Sequence, residues 1–518
     1  MYHLPRPYTA SSKPAFRYME IYETMKQDII SGVLPEEHRL PSIRKQAEFL
    51  SVSTTPVELA YQQLIAEGFI ESRPRKGYFV VKLPESYGKL SLNSSFSEGQ
   101  EQNQRTGRSP LASSAVEPAS LPKRKDWTYD FHLSKNDFSP FPFSIWKRLF
   151  NQLFQPETGD LLFYGEAQGE PGLRQEIASY LRQFRGVVCH PDRIVIAAEQ
   201  HLLIQFLGQM LKHHGNAVAV EDPGYRIIPA TLRAIGYHVH PISLDEEGLR
   251  PDLLHLSSAR IASVSPSHQF PLGIVMPLTR RLELLEWAKE TDGFLIEDDY
   301  GGEFRYQGKP VPSLQGLLPN DHVIYLGGFS QVLAPDFCIH YMVLPERLVP
   351  SFHEMRRDIM FEASASRIHQ RTLQLFMQKG YFEKHVRRMR NVYRKKNQQL
   401  TASIRNHFGS HADILGDSAG LHIILEVRSP LPEAELIALA DQAGVRVSSA
   451  AFFWNKPEER IEKRFMIGFG GINMDLIDEG IRLLRDSWAP HLLWLTLAPF
   501  LALSMFGSSR VILLLHIL

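Results

Sequence analysis

Residues 294–299 read Phe294-Leu295-Ile296-Glu297-Asp298-Asp299, three large apolar residues running without interruption into three carboxylates. A strand with one wet face alternates apolar and polar side chains, whereas a strand covered on both faces reads as an unbroken apolar run. Five more short apolar runs accompany it, at 194–198 (IVIAA), 217–222 (AVAVED), 260–266 (RIASVSP), 323–328 (VIYLGG) and 341–345 (YMVLP). Amphipathic segments separate them. Buried strands alternating with helices build βαβ units, so residues from Tyr129 to about Asp486 are expected to form an α/β domain around a mostly parallel sheet.

Outward from that block the composition changes twice. The 518 residues, 43% of them hydrophobic, are too many for one small module and enough for a large core. The stretch from Leu83 to Trp127 is instead rich in Ser, Gln, Asn, Pro and Gly, cannot bury enough apolar surface to repay its ordering entropy, and reads as a flexible linker. The expected divisions are a small domain at 16–82, the linker at 83–127, the α/β body at 128–487 and an extension at 488–518. No 20–50-residue repeat is present. The 57 Lys and Arg balance 57 Asp and Glu, which excludes a wholly basic nucleic-acid coat protein but leaves room for a local basic patch. Cys189 and Cys338 stand far apart, so neither a disulfide framework nor a Cys/His metal site is expected. A reducing cytoplasm is the expected setting, since the first residues contain no apolar signal-peptide core.

The small domain carries its own punctuation. Met19, Tyr22, Met25, Ile29 and Ile30 make a helical stripe closed by Gly32. Ser42 can cap a helix running to Leu50, Ser51 to Ser53 makes a turn, and Thr55, Pro56 and Glu58 read as an N-cap, a first-turn proline and a capping-box glutamate. Val57, Ala60, Tyr61, Leu64 and Ile65 share one face of that next helix. Two short strands, Phe69 to Ser72 and Tyr78 to Val81, flank the basic tip Arg73-Pro74-Arg75-Lys76-Gly77. Helix, helix-turn-helix and hairpin make a winged helix-turn-helix, whose second helix enters the DNA major groove while the wing lies on the backbone. Arg39-Leu40-Pro41-Ser42-Ile43-Arg44, the turn Ser51 to Thr55 and the wing Pro74 to Gly77 resemble the head of the GntR family of regulators. The resemblance implies that Arg39, Arg44, Ser53, Thr54 and Thr55 face double-stranded operator DNA and that Arg73, Lys76 and Gly77 contact phosphates.

The body resembles the fold-type-I aminotransferase domain of the MocR subgroup of that family, on ordered stretches such as TYDFHLSKNDFSPFPFSIWKRLF, VEDPGYRIIPATLRAIGYHVHPISLDEEGL and SVSPSHQFPLGIVMPLTRRLELLEWA. That fold implies pyridoxal phosphate. Asp298 then stands beside the pyridine nitrogen, Tyr300 reaches the ring hydroxyl, and Tyr225 stacks on the ring. Tyr164 matches the tyrosine lent to the neighbouring subunit's phosphate, which implies a homodimer. The remaining requirements fail. Where the family reads Ser-Lys-Thr-Leu-Ala-Pro, this chain reads Ser330-Gln331-Val332-Leu333-Ala334-Pro335, and an amide nitrogen delocalised into its carbonyl cannot form the imine that a lysine forms. The arginine expected to grip the cofactor phosphate is Cys338, the glycine two residues beyond it is His340, and the phosphate loop is Ala197-Ala198-Glu199-Gln200-His201. Losing that cation and adding a carboxylate should cost several kcal/mol, at about 1.5–3 kcal/mol per charged hydrogen bond. The substrate-carboxylate arginine falls at Arg464 or, two residues on, at Met466.

The expected protein is a cytoplasmic DNA-binding regulator with a dimeric, catalytically silent body that senses an amine or amino acid. The alternative is a working pyridoxal-phosphate protein fused to a DNA-binding head. From Ser487 to Leu518 the only formal charge is Arg510; His491 to Ser509 barely reaches the length of a membrane span and contains Pro499, so a membrane role is not expected.

Overall fold

A computed structural model describes residues 17–82, 127–133, 136–306, 312–317, 321–358, 364–455 and 462–493. The linker expected at 83–127 lies outside them except for Trp127, and so does the apolar stretch 494–518. The chain divides into two compact units, residues 1–121 and 122–518.

In the first unit, helices α1 (Arg17–Ile30), α2 (Ile43–Leu50) and α3 (Thr54–Ala66) precede a hairpin of β1 (Ile70–Arg73) and β2 (Gly77–Val80). The apolar stripe of α1 closes with that of α3 on the hairpin, so that Tyr22, Met25, Ile29, Val57, Tyr61, Leu64, Ile70 and Val80 form one buried cluster. Ser42 caps α2, its hydroxyl accepting from the Lys45 N–H at 3.3 Å. Ser51 stops that helix in the left-handed conformation, at φ 54°. The start of α3 differs from the sequence reading: Ser53 is the N-cap, in extended conformation, so Thr54 and Thr55 are already helical and Pro56 is the third helical residue. A proline is harmless there because the first-turn N–H groups have no intrahelical acceptor. Against the sequence reading, the first hairpin strand sits one residue later at both ends and the second one earlier at both ends, with Arg73 opposite Gly77 across the tip.

The second unit is built on an eight-stranded sheet ordered β4 (Ile194–Ala197), β11 (His340–Val343), β10 (Val323–Gly328), β9 (Phe294–Asp298), β8 (Ile261–Val264), β5 (Ala217–Asp222), β6 (His238–Asp245) and β7 (Gly248–Leu249). The strands from β10 through β6 are parallel, while β11 runs antiparallel to both neighbours and β7 to β6. The apolar runs are its strands, and four of them, β4, β8, β9 and the last three residues of β11, are buried throughout. Helices α4 (Phe143–Asn151), α5 (Pro171–Arg185), α6 (Gln200–Met210), α7 (Ile227–Ala234), α8 (Pro251–Leu256), α9 (Leu278–Glu290), α10 (Val349–Asp358) and α11 (Arg367–Gln378) belong to this part. The 28-residue α12 (Tyr381–Phe408) leads into a small subdomain, an antiparallel sheet of β12 (Ala412–Leu415), β13 (His422–Arg428), β16 (Glu462–Gly468) and β15 (Ser448–Ser449). Helices α13 (Glu433–Gln442) and α14 (Met474–Trp488) complete it, and β3 (Tyr129–Asp130) pairs in parallel with β14 (Val445–Arg446).

The boundary expected between 487 and 488 is corrected by the packing. Trp488, assigned above to the extension, is the last residue of α14 and wholly buried; its Nε1 donates to the Leu436 carbonyl at 2.8 Å and its ring lies 4.6 Å from that of Phe465. An indole that large contributes several kcal/mol as core, so the body extends through it. Among the described residues no helix is long and apolar enough to cross a membrane.

Candidate functional site

In the head, the ridge formed by the start of α2, the start of α3 and the wing tip is exposed at Arg39, Arg44, Ser53, Thr54, Thr55 and Lys76. The N-terminus of α3 combines free backbone N–H groups and a partial positive charge with the exposed residues Ser53, Thr54 and Thr55, a combination that suits phosphate contacts. Gly77 holds φ at 105°, and a Cβ placed on it would lie 3.5 Å from Arg39 Nε, so the wing tip and the Arg39 guanidinium are neighbours. Arg73 is different. Its guanidinium makes a two-pronged pair with Glu37 at 2.6 Å, bonds Glu71 at 2.5 Å and covers the Phe79 ring. A phosphate would have to compete with two carboxylates for it, and in this structure Arg73 braces the wing tip against Glu37.

In the body, the sequence-expected pocket residues converge on the carboxyl ends of the central strands, which is where open α/β sheets bind ligands. Asp298 ends β9, buried, and its Oδ1 accepts the Gln200 amide at 2.9 Å. Burial and the neighbouring Asp299 push its carboxyl up to about 7. Tyr300 follows with its hydroxyl buried and, among the described residues, without a partner. Tyr225 is 44% exposed and meets Phe270 edge-on at 5.4 Å; Phe270 in turn meets Tyr300 at 5.6 Å, so these three rings form one wall. Tyr164 is 81% exposed and stands apart from this wall.

The positions that the resemblance assigns to the phosphate and the Schiff base carry other chemistry. Gln331, half-buried, sits in the turn after β10. Glu199 is the N-cap of α6, and its Oε1 lies 3.8 Å from Cys338 Sγ. Burial and then Glu199 push the Cys338 thiol up. Cys338 occupies the left-handed region at φ 51°, and His340, two residues on, opens β11 opposite Gly328 with its Nδ1 3.1 Å from the Ala198 carbonyl. A Cβ on Gly328 would come within 2.6 Å of that imidazole, so His340 fills space beside the strand. Arg464 is not directed to this wall: it pairs with Glu426 at 2.6 Å. Met466 is the β16 residue that packs with Phe270, Ile424, Ala450 and Tyr300.

Several residues here were not singled out from the sequence. Glu221, next to last in the run at 217–222, has one carboxylate oxygen taking the Ser265 N–H and the other buried without a partner among the described residues, and burial pushes it up to about 8. His268 is buried with neither ring nitrogen partnered among the described residues and is held down to about 3 by burial, beside Tyr300 at 5.9 Å. Asp299 forms a buried pair with Arg185, at 2.6 and 2.9 Å, and Arg185 also bonds Ser267. The polar residues of SPSHQFPLG, following an apolar strand, were the available signal.

The residues do not fit a covalently held pyridoxal phosphate. Residue 331 has no amine, the phosphate position offers a carboxylate and a thiol, and Asp298 already takes an amide N–H from Gln200.

The comparisons with known proteins agree with this architecture. The model of the bacterial regulatory proteins of the gntR family matches residues 17–80, and that of aminotransferase class I and II matches residues 130–481. An uncharacterized HTH-type transcriptional regulator, YhdI of Bacillus subtilis, is 36% identical over 91% of this chain and 96% of its own. The probable rhizopine catabolism regulatory protein MocR of Rhizobium meliloti is 31% identical over 91% of this chain and 93% of its own.

The chain is a MocR-type regulator of the GntR family.

Its winged head makes it a DNA-binding transcription regulator, and its body has the fold-type-I aminotransferase architecture. A Pyrococcus horikoshii kynurenine aminotransferase superposes with a TM-score of 0.63 at 22% identity, over 71% of this chain and 92% of that one, and an archaeal alanine:glyoxylate aminotransferase with 0.64 at 23%, over the same shares. At those identities the likeness is one of fold. The aminotransferase fold of this MocR-type chain implies pyridoxal phosphate as the family's cofactor.

Proposed function

We propose that this MocR-type regulator works in the cytoplasm as a homodimer whose body dimerises and senses a small amine or amino acid without transamination. The observation that carries the reading is Gln331, an amide where the chemistry needs an amine nucleophile. Glu199 and Cys338 support it from separate stretches of chain, since both stand where a phosphate would need a cation. What remains is a pocket able to bind: a buried acid at Asp298, a free Tyr300 hydroxyl and the Tyr225 ring. No step through the cofactor is available to these residues. The exposed apolar run Leu162, Phe163 and Tyr164 is the proposed dimer contact.

In the head, Arg44 and the Ser53, Thr54 and Thr55 hydroxyls read or align the operator, while Lys76 and the Gly77 backbone hold phosphates. Two heads joined to one dimer through the roughly 45-residue segment 83–127 would each span about 35–40 Å if that segment is flexible, which raises apparent affinity through effective concentration. A second reading rests on the unpartnered Tyr300 hydroxyl and the half-exposed Tyr225 ring: noncovalent binding of a pyridine ring between them and Asp298.

Mobility shift with DNA from upstream of its own gene, combined with sedimentation, tests the reading. The full chain should shift the fragment as a dimer, and Arg44→Ala should weaken the shift. A monomer, or binding indifferent to Arg44 and Thr54, would contradict it.

A further inference from the structure

Charges cancel within the head as they do over the whole chain: residues 17–82 hold nine Lys or Arg and nine Asp or Glu. Three of the cations are engaged internally, Lys26 with Glu67, Arg73 with Glu37 and Glu71, and Lys82 with Glu36. Phosphate neutralisation supplies most of the sequence-independent affinity of a DNA-binding protein, so this head alone makes a narrow electrostatic footprint.

The body has the opposite imbalance on one helix. From Tyr381 to Lys396, α12 carries seven Lys or Arg and a single acid, Glu383. Lys384, Arg387, Arg388, Arg394 and Lys395 are exposed, and at about 100° per residue they fall within an arc of about 120°. Phe382, Val386, Met389 and Tyr393 fill the opposite, buried side. Among the described residues none of the five cations meets a carboxylate within ion-pair distance; Arg387 bonds the Glu383 carbonyl at 3.4 Å and Arg394 the Asn391 side chain at 3.1 Å. Burying the helix requires only its apolar side. Like charges one turn apart on the outer side repel one another, a cost that a polyanion would reverse. The cationic surface continues past the helix start, where Arg148 donates to the Tyr381 hydroxyl at 3.0 Å.

We propose that the outer face of α12 is a second DNA-backbone surface, on the aminotransferase-like body, taking duplex phosphates without reading sequence. From Lys384 to Lys395 the stripe is about 16 Å long at 1.5 Å per residue, comparable with five base-pair steps of duplex at about 3.4 Å each. The regulator therefore holds more DNA than its heads alone cover, and the extra contacts are ionic.

The test uses the full chain, a 60-base-pair duplex from upstream of its own gene, and affinities between 50 and 200 mM salt. Changing Lys384, Arg387, Arg388 and Arg394 together to Gln should lower the slope of log affinity against log salt by about 2–4, at about 0.9 per phosphate contact, and weaken binding tenfold or more. Removing the same number of exposed cations elsewhere, at Lys212, Arg233, Arg260 and Lys289, should leave the slope unchanged. An unchanged slope in the α12 variant overturns the proposal, as does a change in its sedimentation, which would make the stripe a contact between copies. If Arg44→Ala leaves binding intact while the α12 variant loses it, the head reading fails and this one stands. A full chain with no affinity for the duplex defeats both.

Discussion

The head and the body pocket of this regulator have kept different things. In the head, the capping serine, the turn, the N-terminus of α3 and the basic wing tip of a winged helix-turn-helix are all present, over an apolar cluster beside which Gln46 is the buried polar side chain among the described residues. In the body the scaffold is equally intact, with buried parallel strands and a filled core, while the positions that the resemblance assigns to the amine, the guanidinium and the small loop hold an amide, a thiol and a carboxylate. A fold is held by many distributed apolar contacts, whereas a chemistry hangs on a few polar atoms. The pocket can therefore lose its chemistry while the sheet that carries it loses nothing.

The largest expected effect separates the two units by stability. Arg185→Ala strands Asp299 as a buried unpaired charge and should destabilise the body by about 3–5 kcal/mol. Calorimetry should show the body's transition falling and the head's unmoved. A shift of both would mean that the units do not unfold independently. The next effect belongs to the head: Arg44→Ala should weaken DNA binding by about 1–3 kcal/mol, roughly 5- to 150-fold, with the body's transition unchanged. Ser42→Ala should cost the head about 1 kcal/mol through the lost cap on α2 and leave the body alone.

The smallest effect is a pH dependence of opposite sign in the two units. Burial raises Glu221 to about 8 and Asp298 to about 7, so the fold favours their neutral forms. A raised carboxyl contributes fully below its unfolded value near 4 and loses that contribution as pH climbs through 7 to 8. The buried histidines, lowered to about 3 at His268 and about 4 at His422, oppose this only below about 6.5, where the unfolded chain takes up their protons. In the head, bonds from Gln63, Tyr22 and Lys26 lower Glu67 to about 2, a contribution present above the ordinary carboxylate range and lost as pH falls toward 2. Between pH 6.5 and 8.5 the body's unfolding temperature should fall by a few degrees and the head's should not. Glu221→Gln should flatten the body's curve; an unchanged slope in that variant would remove Glu221 as a cause.

How much of this was legible in the sequence follows from what each signal depends on. Apolar runs report strands because burial on both faces is a local property of the chain, and FLIEDD is a strand ending in acids as read. Gln331 and Cys338 are assigned to the lysine and arginine positions by the order of the motifs around them, and that assignment is part of the proposal. Trp488 was misplaced because an indole next to an uncharged tail looks like part of it; only the Leu436 carbonyl and the Phe465 ring show otherwise. The pairing of Arg73 could not be read from the sequence because Glu37 is 36 residues away along the chain and adjacent in space. Glu221 and His268 were invisible for a similar reason: an acid at a strand end and a histidine in a loop become a pocket only when the sheet sets them side by side.

The central claim is that the body has the aminotransferase architecture without its covalent chemistry. The most direct measurement is the absorbance spectrum of the purified full chain with pyridoxal phosphate, followed by borohydride reduction and intact mass. The account predicts no visible imine band and no mass increase. A reducible cofactor adduct mapped to a lysine of this chain would contradict it.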